Sequence, residues 1–287
     1  MDVSLGQTAF DGPLSQRLSA VAQQGPVLYW LGQAGFVLDI AGRRIVIDPY
    51  LSDSLAEKYR GTPRPHIRMM APPIAPGELQ SVDLVLCTHS HTDHMDPGTL
   101  PRLLKANPAA RLIAPRAVRM QALERSGIDE SRLLSINAGE ALELFPELKI
   151  TATQAAHEKL DTDQAGNHKF LGYLLSSPFG RIWHSGDCIP FDGLVGEVAA
   201  LKPDLALLPV NGRRPELTEN GIAGNFFLEE AVDIARSIGA KAMIAHHYGL
   251  FDFNTADPEA IDSVARNSAA PCVARAREAI AFELVTF

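Results

Sequence analysis

Hydrophobic and polar residues follow two patterns along the chain, a period of two near the start and apolar runs between helical segments later. The segment VLYWLGQAGFVLDIAGRRIVIDPY, residues 27–50, holds three β-rich runs separated by glycine-containing turns, which predicts a meander of antiparallel strands. Residues 1–25 are predicted to form an amphipathic lead-in helix. Residues 59–77 carry five prolines and no periodicity, which predicts a long irregular loop and a possible lid over an active site.

From residue 82 onward, apolar runs typical of buried strands alternate with helical segments. Strands are predicted at 82–88, 111–115, 148–154, 170–175, 181–184, 205–210 and 240–247. Helices are predicted directly after residues 96–97 and over 116–125, 225–237 and 257–267. A meander followed by β-α alternation predicts mixed sheets covered by helices, which is an α/β fold.

Length, composition and charge restrict the class of protein. A chain of 287 residues can bury a substantial core, and we expect one large α/β domain over residues 1–287. With 46% hydrophobic and 21% charged residues, the composition is typical of a globular protein rather than a disordered or fibrous one. A formal net charge of −8 argues against a general affinity for nucleic acid or anionic membranes, because both favour a basic protein face.

The cysteines and the N-terminus predict a cytoplasmic protein. Cys87, Cys188 and Cys272 are scattered and odd in number, which does not match a disulfide framework and fits a reducing compartment. The first residues lack the basic and then apolar run of a secretory signal. No apolar run approaches the roughly 18 residues needed to cross a bilayer.

The segment CTHSHTDHMDP, residues 87–97, places three histidines and two aspartates where a predicted strand gives way to a predicted helix. Asp96 before a proline is typical of a helix start and is assigned a capping role. Capping does not explain four other ligand-type side chains, which are His89, His91, Asp93 and His94. Imidazole and carboxylate suit Zn²⁺ and other first-row divalent ions, so the loop predicts a metal centre that serves two ions. The alternative is a polar loop whose histidines only cap the next helix.

Three later strand ends offer further ligands. His157 lies at the end of a predicted strand in TATQAAHE, and Asp187 follows one in IWHSGDC. His246 and His247 lie at the end of another, in AMIAHHYG. Each has an ordinary alternative, since an isolated histidine is often a core or surface residue and a Gly-Asp pair is often a turn. Four strand ends that all carry ligand-type side chains are much less expected by chance, which favours a shared metal site.

The combined pattern resembles a known family. His-x-His-x-Asp-His, followed by a lone histidine, a Gly-Asp and a late histidine, is similar to the metal-binding set of the metallo-β-lactamase fold superfamily. Within that superfamily the chain is most similar to the branch that resembles the L-ascorbate-6-phosphate lactonases. The similar pieces are WLGQAGFVLDIAGRRIVIDPYLSDS, PPIAPGEL, CTHSHTDHMDP, DQAGNHKFLGYLL, HSGDCIPFDGL, LPVNGRRPELTENGIAGN and IAHHYGLFDFN. They cover most of the chain between residues 28 and 255.

This resemblance implies a fold and a ligand set. The fold is a four-layer αββα sandwich of two facing mixed β-sheets with helices outside, and the site holds two divalent metal ions at the sheet edge. The implied ligands are His89, His91 and His157 for one ion and Asp93, His94 and His247 for the other, with Asp187 bridging. Family members place the last ligand in an I-P-x-H context, which favours His247 over His246, although this chain has Ala245 where proline is common.

Two cations that share a water would lower its pKa and so provide hydroxide at neutral pH. Hydroxide attacks an electrophilic carbonyl or phosphorus, and Asp93 is predicted to orient the water and accept its proton. Zn²⁺, Mn²⁺ and Fe²⁺ all accept these ligands. Ser185 and Cys188 flank the bridging aspartate, but neither has an adjacent base, so a turn and core packing are predicted for them.

Substrate-binding residues are predicted less directly. Asn211, Arg213 and Asn225 lie in NGRRPELTENGIAGN ahead of a predicted helix, where arginine and a helix start suit an anion. The alternative is a solvated turn with an N-cap. The similar lactonases read Asn-Gly-Arg-Asp here, so Arg214 is a departure. His168 matches the branch and is a further pocket candidate, with a turn ahead of a strand as its alternative.

Charged residues of the 59–77 loop admit two interpretations. Arg60, Arg64, His66 and Arg68 would form a basic lid over an acidic substrate, or they would be an ordinary solvated face.

We therefore predict a metal-dependent hydrolase that opens a lactone or carbonyl ester, with a phosphorylated sugar acid as the expected substrate. One alternative is a phosphodiesterase or nuclease, since the same two-metal chemistry serves both. Another is a metal-binding sensor or scaffold without turnover. The expected partner is a small molecule, with homo-oligomerisation as a further expectation and no role for nucleic acid or membrane.

Overall fold

The computed structural model describes residues 3–23 and 25–286. Its strands are β1 Val3–Ala9, β2 Val27–Gly32, β3 Gly35–Ile40, β4 Arg43–Ile47, β5 Leu84–Leu86, β6 Arg111–Pro115, β7 Leu133–Ile136, β8 Ala141–Phe145, β9 Leu148–Gln154, β10 Leu171–Ser177, β11 Gly180–His184, β12 Leu205–Pro209, β13 Ala242–His246, β14 Cys272–Arg275 and β15 Ile280–Thr286. Its α-helices are α1 Leu14–Arg17, α2 Ser54–Lys58, α3 Leu100–Ala106, α4 Arg119–Ser126, α5 Leu194–Leu201, α6 Pro215–Thr218, α7 Leu228–Ser237 and α8 Pro258–Asn267.

These strands form two mixed sheets. The first sheet has the order β1-β15-β2-β3-β4-β5-β6-β7, and the second has the order β14-β13-β12-β11-β10-β9-β8. The predicted meander is present, because β2, β3 and β4 pair antiparallel, and from β4 to β7 the pairing is parallel. In the second sheet β11 to β14 are parallel, whereas β8 to β11 are antiparallel. The predicted pair of mixed sheets is confirmed.

Alternation along the central strands shows how the layers stack. In β3, Phe36 and Leu38 belong to the core between the two sheets, whereas Val37 belongs to a second core on the outer face of the first sheet. Both faces are therefore covered, which is why this strand is almost continuously apolar. The second core continues under α3 and α4. The cluster that fills the space between the sheets is continuous with a layer on the outer face of the second sheet, which packs under α5, α7 and α8. The order of layers is helix, sheet, sheet, helix.

The prediction of an amphipathic helix over residues 1–25 was wrong. Residues Val3–Ala9 form an edge strand that pairs antiparallel with β15 over the whole of its length, and only Leu14–Arg17 is α-helical. β15 would otherwise expose a row of backbone donors and acceptors, and pairing with β1 satisfies them. Residues 1, 2 and 24 of the predicted lead-in, as well as residue 287, lie outside the described part of the chain.

Two predicted helix starts were placed too early. α3 begins at Leu100 with Thr99 as its N-cap, and α7 begins at Leu228. Asp96 shapes the turn before α3, since its carboxylate accepts hydrogen bonds from the backbone N–H of Gly98 and the hydroxyl of Thr99. The irregular character of residues 59–75 is confirmed, and a single 3-10 turn follows at Pro76–Glu78. Within residues 3–23 and 25–286, no helix combines the length and apolarity required to cross a membrane.

Candidate metal centre

The predicted ligand residues meet where the two sheets present the ends of their strands. The loop with His89, His91, Asp93 and His94 follows β5 of the first sheet. From the second sheet, His157 follows β9, Asp187 follows β11 and His247 follows β13. Because β4 and β5 are parallel, as are β11 to β13, their carboxyl ends lie on common edges, and the stacked sheets bring these edges together.

The side chains fall into three groups. In each group one nitrogen or oxygen per residue lies within 4.8 Å of the others. The groups are His89, His91 and His157; His89, His94 and Asp187; and Asp93, His94 and His247.

Asp187 lies at the centre of these groups. Its Oδ1 is 3.3 Å from Nε2 of His94, and its Oδ2 is 3.3 Å from Nε2 of His247 and 3.6 Å from Nε2 of His157. It is also almost fully buried, with 3% of its surface exposed. One carboxylate therefore contacts histidines from both sheets.

In three of the histidines, a hydrogen bond donated by Nδ1 determines that Nε2 faces the other grouped side chains. Nδ1 of His94 donates to Oδ2 of Asp48 over 2.7 Å, and Nδ1 of His157 donates to the carbonyl of Gly224 over 3.2 Å. The Thr88 hydroxyl donates to Asp48 over 2.6 Å, so its oxygen accepts from Nδ1 of His89 over 3.0 Å. In the neutral form of all three rings, Nε2 therefore carries the lone pair, which is the form that binds a cation.

Asp48 is a functional residue that the sequence analysis missed. It lies directly after β4, is fully buried and has a positive φ of 44°. Its carboxylate accepts from the Thr88 backbone N–H, the Thr88 hydroxyl and His94. The sequence did hold an indication, because IDPY ends a strand parallel to β5, and an aspartate there can reach the loop that follows β5.

The donor set fits a divalent cation. Among the described residues, Nε2 of His89, His94 and His247 and Oδ1 of Asp187 are buried without a hydrogen-bond partner. Burial of such groups without a partner is costly, and cations bound among them would satisfy all four. Burial lowers the pKa of His157 to about 4, so its imidazole is neutral at pH 7 and suited to coordination.

Asp93 is held at the cleft by Gln33, which the sequence analysis also missed. Nε2 of Gln33 donates to Oδ2 of Asp93 over 2.9 Å, and the Gln33 carbonyl accepts the backbone N–H of His247 over 2.9 Å. Gln33 is 1% exposed, and its Oε1 has no partner among the described residues. Burial alone would raise the pKa of Asp93, but the nearby His94 and His247 outweigh it and hold that pKa below its ordinary value. The β2–β3 turn therefore positions side chains from both sheets.

Two further histidines near the strand ends, His184 and His246, lie outside the ligand groups. His246 is fully buried beside the ring of His184, with ring centroids 4.9 Å apart, and it belongs to none of the three groups. His184 donates from Nε2 to the carbonyl of Ala34 over 2.9 Å and accepts at Nδ1 from the N–H of Gly186 over 3.0 Å. His184 thereby fixes the turn before Asp187.

Ser185 and Cys188 have the surroundings of a turn and a packed core. The Ser185 hydroxyl donates to the carbonyl of Gly186 over 2.7 Å, and Cys188 is fully buried. Burial raises the pKa of the Cys188 thiol to about 12, so it is not a thiolate at neutral pH.

Further contacts support the ligand-bearing loop from behind. Arg125 of α4 donates from Nη1 to the carbonyls of Ser90 and Met95. Asp96 accepts the hydroxyls of Ser52 and Ser54, each over 2.7 Å. These bonds tie the loop to α4 and to the start of α2, consistent with a structural role for Asp96.

A cleft of about 370 Å³ opens above the grouped side chains. It is lined by Gln33, Leu55, Lys58, Tyr59, His66, Ser90, His91, Thr92, Asp93, Arg125, His157, Asp187, Gly221, Ile222, Ala223, His247, Phe251 and Asn254. Tyr59 and His66 belong to the proline-rich segment, which thus forms part of the cleft wall. A lid motion of that segment stays a prediction.

The four predicted substrate residues, Asn211, Arg213, Asn225 and His168, are not among the residues that line this cleft. Arg213 pairs through both Nη atoms with Glu230, at 2.6 and 2.7 Å. Asn211 accepts from Asn225 over 3.0 Å and donates to Asn254 over 2.8 Å. Asn225 is fully buried three residues ahead of α7, so it does not cap that helix.

Comparison with known proteins identifies related sequences. A family model described as a β-lactamase superfamily domain matches residues 43–248. A UPF0173 metal-dependent hydrolase of Sulfolobus acidocaldarius is 34% identical over 194 residues, which are 66% of this chain and 73% of that protein. A UPF0173 metal-dependent hydrolase of Aeropyrum pernix is 31% identical over 245 residues, 81% of this chain and 86% of that one.

Among solved structures, this chain is similar to Igni18, described as a novel metallo hydrolase from Ignicoccus hospitalis. The TM-score is 0.67 at 21% identity, and the match covers 92% of this chain and 100% of that chain. At this identity the similarity supports the shared fold.

Proposed function

This chain belongs to the metallo-β-lactamase superfamily and is a metal-dependent hydrolase, and from this premise we propose that it opens a lactone or related carbonyl ester. The convergence on Asp187 carries the proposal. Its carboxylate contacts His94, His157 and His247, and unpartnered donor atoms surround it at one end of an open cleft. A small-molecule substrate suits a cleft of this size.

We propose that two divalent cations bind here, with Zn²⁺ or Mn²⁺ as the first candidates and Fe²⁺ as a third. His89, His91 and His157 would hold one, Asp93, His94 and His247 the other, and Asp187 both. When bound, such cations lower the pKa of water towards neutrality and stabilise negative charge that develops on oxygen.

The chain itself supplies orientation and proton transfer. Gln33 holds one oxygen of Asp93, and Asp93 faces the cleft with 17% of its side chain exposed. Because its pKa is held below the ordinary value, Asp93 is ionised at neutral pH and can accept a proton from an attacking water. Asp48 and Thr88 keep His94 and His89 in the tautomers that present Nε2.

The resemblance to L-ascorbate-6-phosphate lactonases supports a lactone as the reacting group. A phosphorylated sugar acid, the narrower substrate, stays a prediction. Arg213, the residue predicted to bind its phosphate, is paired with Glu230.

Metal analysis and a substrate panel test the proposal. Purified protein is expected to contain about two divalent ions, and Asp93→Asn is expected to reduce hydrolysis by about 10²- to 10⁴-fold, the usual contribution of a general base. Asp192→Asn, at an exposed position in the β11–α5 loop, is the matched control. The panel compares sugar lactones, acyl lactones and bis(4-nitrophenyl) phosphate, each with Zn²⁺ and with Mn²⁺.

Each outcome of the panel has a distinct meaning. Turnover of the phosphodiester with none of the lactones would replace the proposal with a phosphodiesterase. Two bound ions without turnover of any substrate would favour a sensor or scaffold. Full activity in a metal-free sample would falsify the proposed chemistry.

A further inference from the structure

Part of the cleft wall beside the metal centre is aromatic. Tyr59, His66 and Phe251 line one side, and we call these three residues the aromatic wall. The rings of Tyr59 and His66 stack with centroids 4.2 Å apart, and the ring of Phe251 meets His66 edge-on at 5.1 Å. Leu55 and Ile222 add aliphatic surface to the same cleft. Planar and aliphatic groups of a ligand pack favourably on such a surface.

His66 contributes to this wall as a neutral ring. It is 8% exposed, and its Nδ1 donates to the carbonyl of Arg64 over 2.7 Å. Burial lowers the pKa of His66, so the ring carries no charge at neutral pH. A positive lid over an acidic substrate therefore does not arise from this histidine.

Four of the five arginines considered as anion-binding residues donate to other groups of the protein. Arg213 pairs with Glu230, Arg214 donates to the carbonyls of Phe253 and Thr255, Arg68 to those of Met70 and Tyr50, and Arg64 to that of Glu216. Of the arginines in the described ranges, Arg125 lines the cleft, and its Nη1 is engaged by two carbonyls of the ligand-bearing loop. Phosphate and carboxylate are recognised best by a free guanidinium fork, and in Arg64, Arg213 and Arg214 both Nη atoms already donate to protein oxygens.

Lys58 is the other cationic residue of the cleft lining. It is exposed, and its ammonium lies 4.9 Å from the centre of the Tyr59 ring. An exposed ammonium is strongly hydrated and gives an anion little specificity. The polar groups of the lining apart from the grouped ligands include Gln33, Ser90, Thr92 and Asn254, all of them neutral.

We propose that the substrate is an uncharged lactone or ester with an apolar or planar substituent that packs on the aromatic wall. This inference rests on the proposed hydrolysis. The cations and Asp93 would act on the carbonyl, and the substituent would extend from the metal centre towards Tyr59 and Phe251. This assigns selectivity to the wall and not to a phosphate-binding arginine.

A pair of lactones with the same ring tests the inference on the metal-loaded protein. One carries a phenyl group on the γ carbon of γ-butyrolactone, and the other carries a phosphoryloxymethyl group at that position. We expect kcat/KM for the phenyl lactone to be at least tenfold higher. A higher kcat/KM for the phosphorylated lactone would overturn the inference and leave the proposed hydrolysis intact.

Variants show which residues produce the preference. Tyr59→Ala, at a half-buried position, is expected to raise KM for the phenyl lactone about tenfold with little change in kcat. Phe251→Leu is the second variant, because it keeps an aliphatic group in the core. Phe253→Ala is the matched control, since this ring stacks on Phe251 with centroids 6.0 Å apart but does not line the cleft. An unchanged KM in both wall variants would contradict the inference, as would a more than tenfold loss of kcat/KM for the phenyl lactone in Lys58→Ala.

A binding measurement tests this inference independently of the proposed function. If neither lactone is hydrolysed, the proposed function fails, and calorimetric binding of the phenyl lactone still tests the wall. A Kd about tenfold weaker in Tyr59→Ala than in Phe253→Ala supports the inference. Equal Kd values in the two variants would contradict it.

Discussion

His246 and His247 are neighbours in the chain but face different surroundings, because the backbone changes conformation between them. His246 is the last residue of β13 and is buried beside His184, whereas His247 has a positive φ of 61° and reaches Asp187. A non-glycine residue with positive φ is uncommon, and here it is held by the hydrogen bond from its N–H to Gln33. The backbone conformation therefore explains why His247, and not His246, reaches the grouped side chains.

Substitution of the two histidines should separate their roles. His247→Leu removes a proposed ligand and is expected to reduce the metal content from about two ions to about one. His246→Leu keeps a side chain of similar size in the core and is expected to retain both ions. Elemental analysis of the purified variants measures this, and equal metal loss in the two would contradict the assignment.

Gln33 is expected to affect catalysis more than metal binding. Gln33→Leu removes the hydrogen bond to Asp93 and leaves that carboxylate free to turn, so we expect kcat to fall about tenfold or more while the metal content is retained. Gln80→Leu is the control, because the exposed Gln80 side chain donates to the nearby Gly77 carbonyl on the surface. A normal kcat in Gln33→Leu would show that Asp93 needs no such support.

At the scale of elements, an ion pair joins α8 to β14. Asp262 of α8 accepts from Nε and Nη2 of Arg275 in β14, each over 2.8 Å, and from Nη2 of Arg277 over 2.8 Å. The side chain of Asp262 is 17% exposed, so solvent screens this pair less than a surface pair. Hydrogen bonds from Arg275 lower the pKa of Asp262 to about 2. The folded state therefore favours the ionised carboxylate.

The lowered pKa predicts a pH-dependent contribution to stability. It is fully present above the unfolded pKa of about 4 and is lost as the pH falls through about 2. At pH 7, Asp262→Asn should lower the free energy of unfolding by about 1–2 kcal/mol. The difference from the unsubstituted protein should shrink between pH 4 and pH 2, as measured by urea unfolding. Asp233→Asn, which breaks an exposed pair with Arg236, should have a smaller effect at every pH.

Elements with their own local pattern were predictable from the sequence, and elements stabilised by a distant partner were not. The alternation of β2 to β4 and the apolar runs of β5, β12 and β13 predicted these strands. β1, β7, β8, β14 and β15 are short, lie at or near sheet edges or carry mixed polarity, and the sequence analysis did not identify them. β1 is the clearest case, since its partner β15 begins more than 270 residues later in the chain.

For the whole molecule, the proposed ligands connect the two sheets. His89, His91, Asp93 and His94 come from the first sheet, and His157, Asp187 and His247 from the second. Cations bound there would cross-link the two layers and bind only the folded state. Stability should therefore depend on metal as well as on the core between the sheets.

Metal removal should lower the melting temperature. A ligand at 100 times its Kd stabilises the folded state by about 2.7 kcal/mol, which in a protein of this size raises Tm by about 5 °C. Chelation followed by dialysis should lower Tm by at least this amount, and Zn²⁺ or Mn²⁺ should restore it. His91→Ala removes an exposed ligand and should show a smaller shift. Equal Tm values with and without metal would contradict the cross-link.

The sequence by itself determined mixed sheets covered by helices and the ligand-rich strand ends, because strand periodicity and the position of a loop after a strand depend on local backbone geometry. The facing arrangement of the two sheets was implied by the family resemblance. Only the tertiary structure decided that Asp48 and Gln33 orient the ligands, that Arg213 pairs with Glu230 and that the cleft has an aromatic wall. These contacts depend on how two sheets stack and where long loops return. No local pattern encodes such distances between residues far apart in the chain.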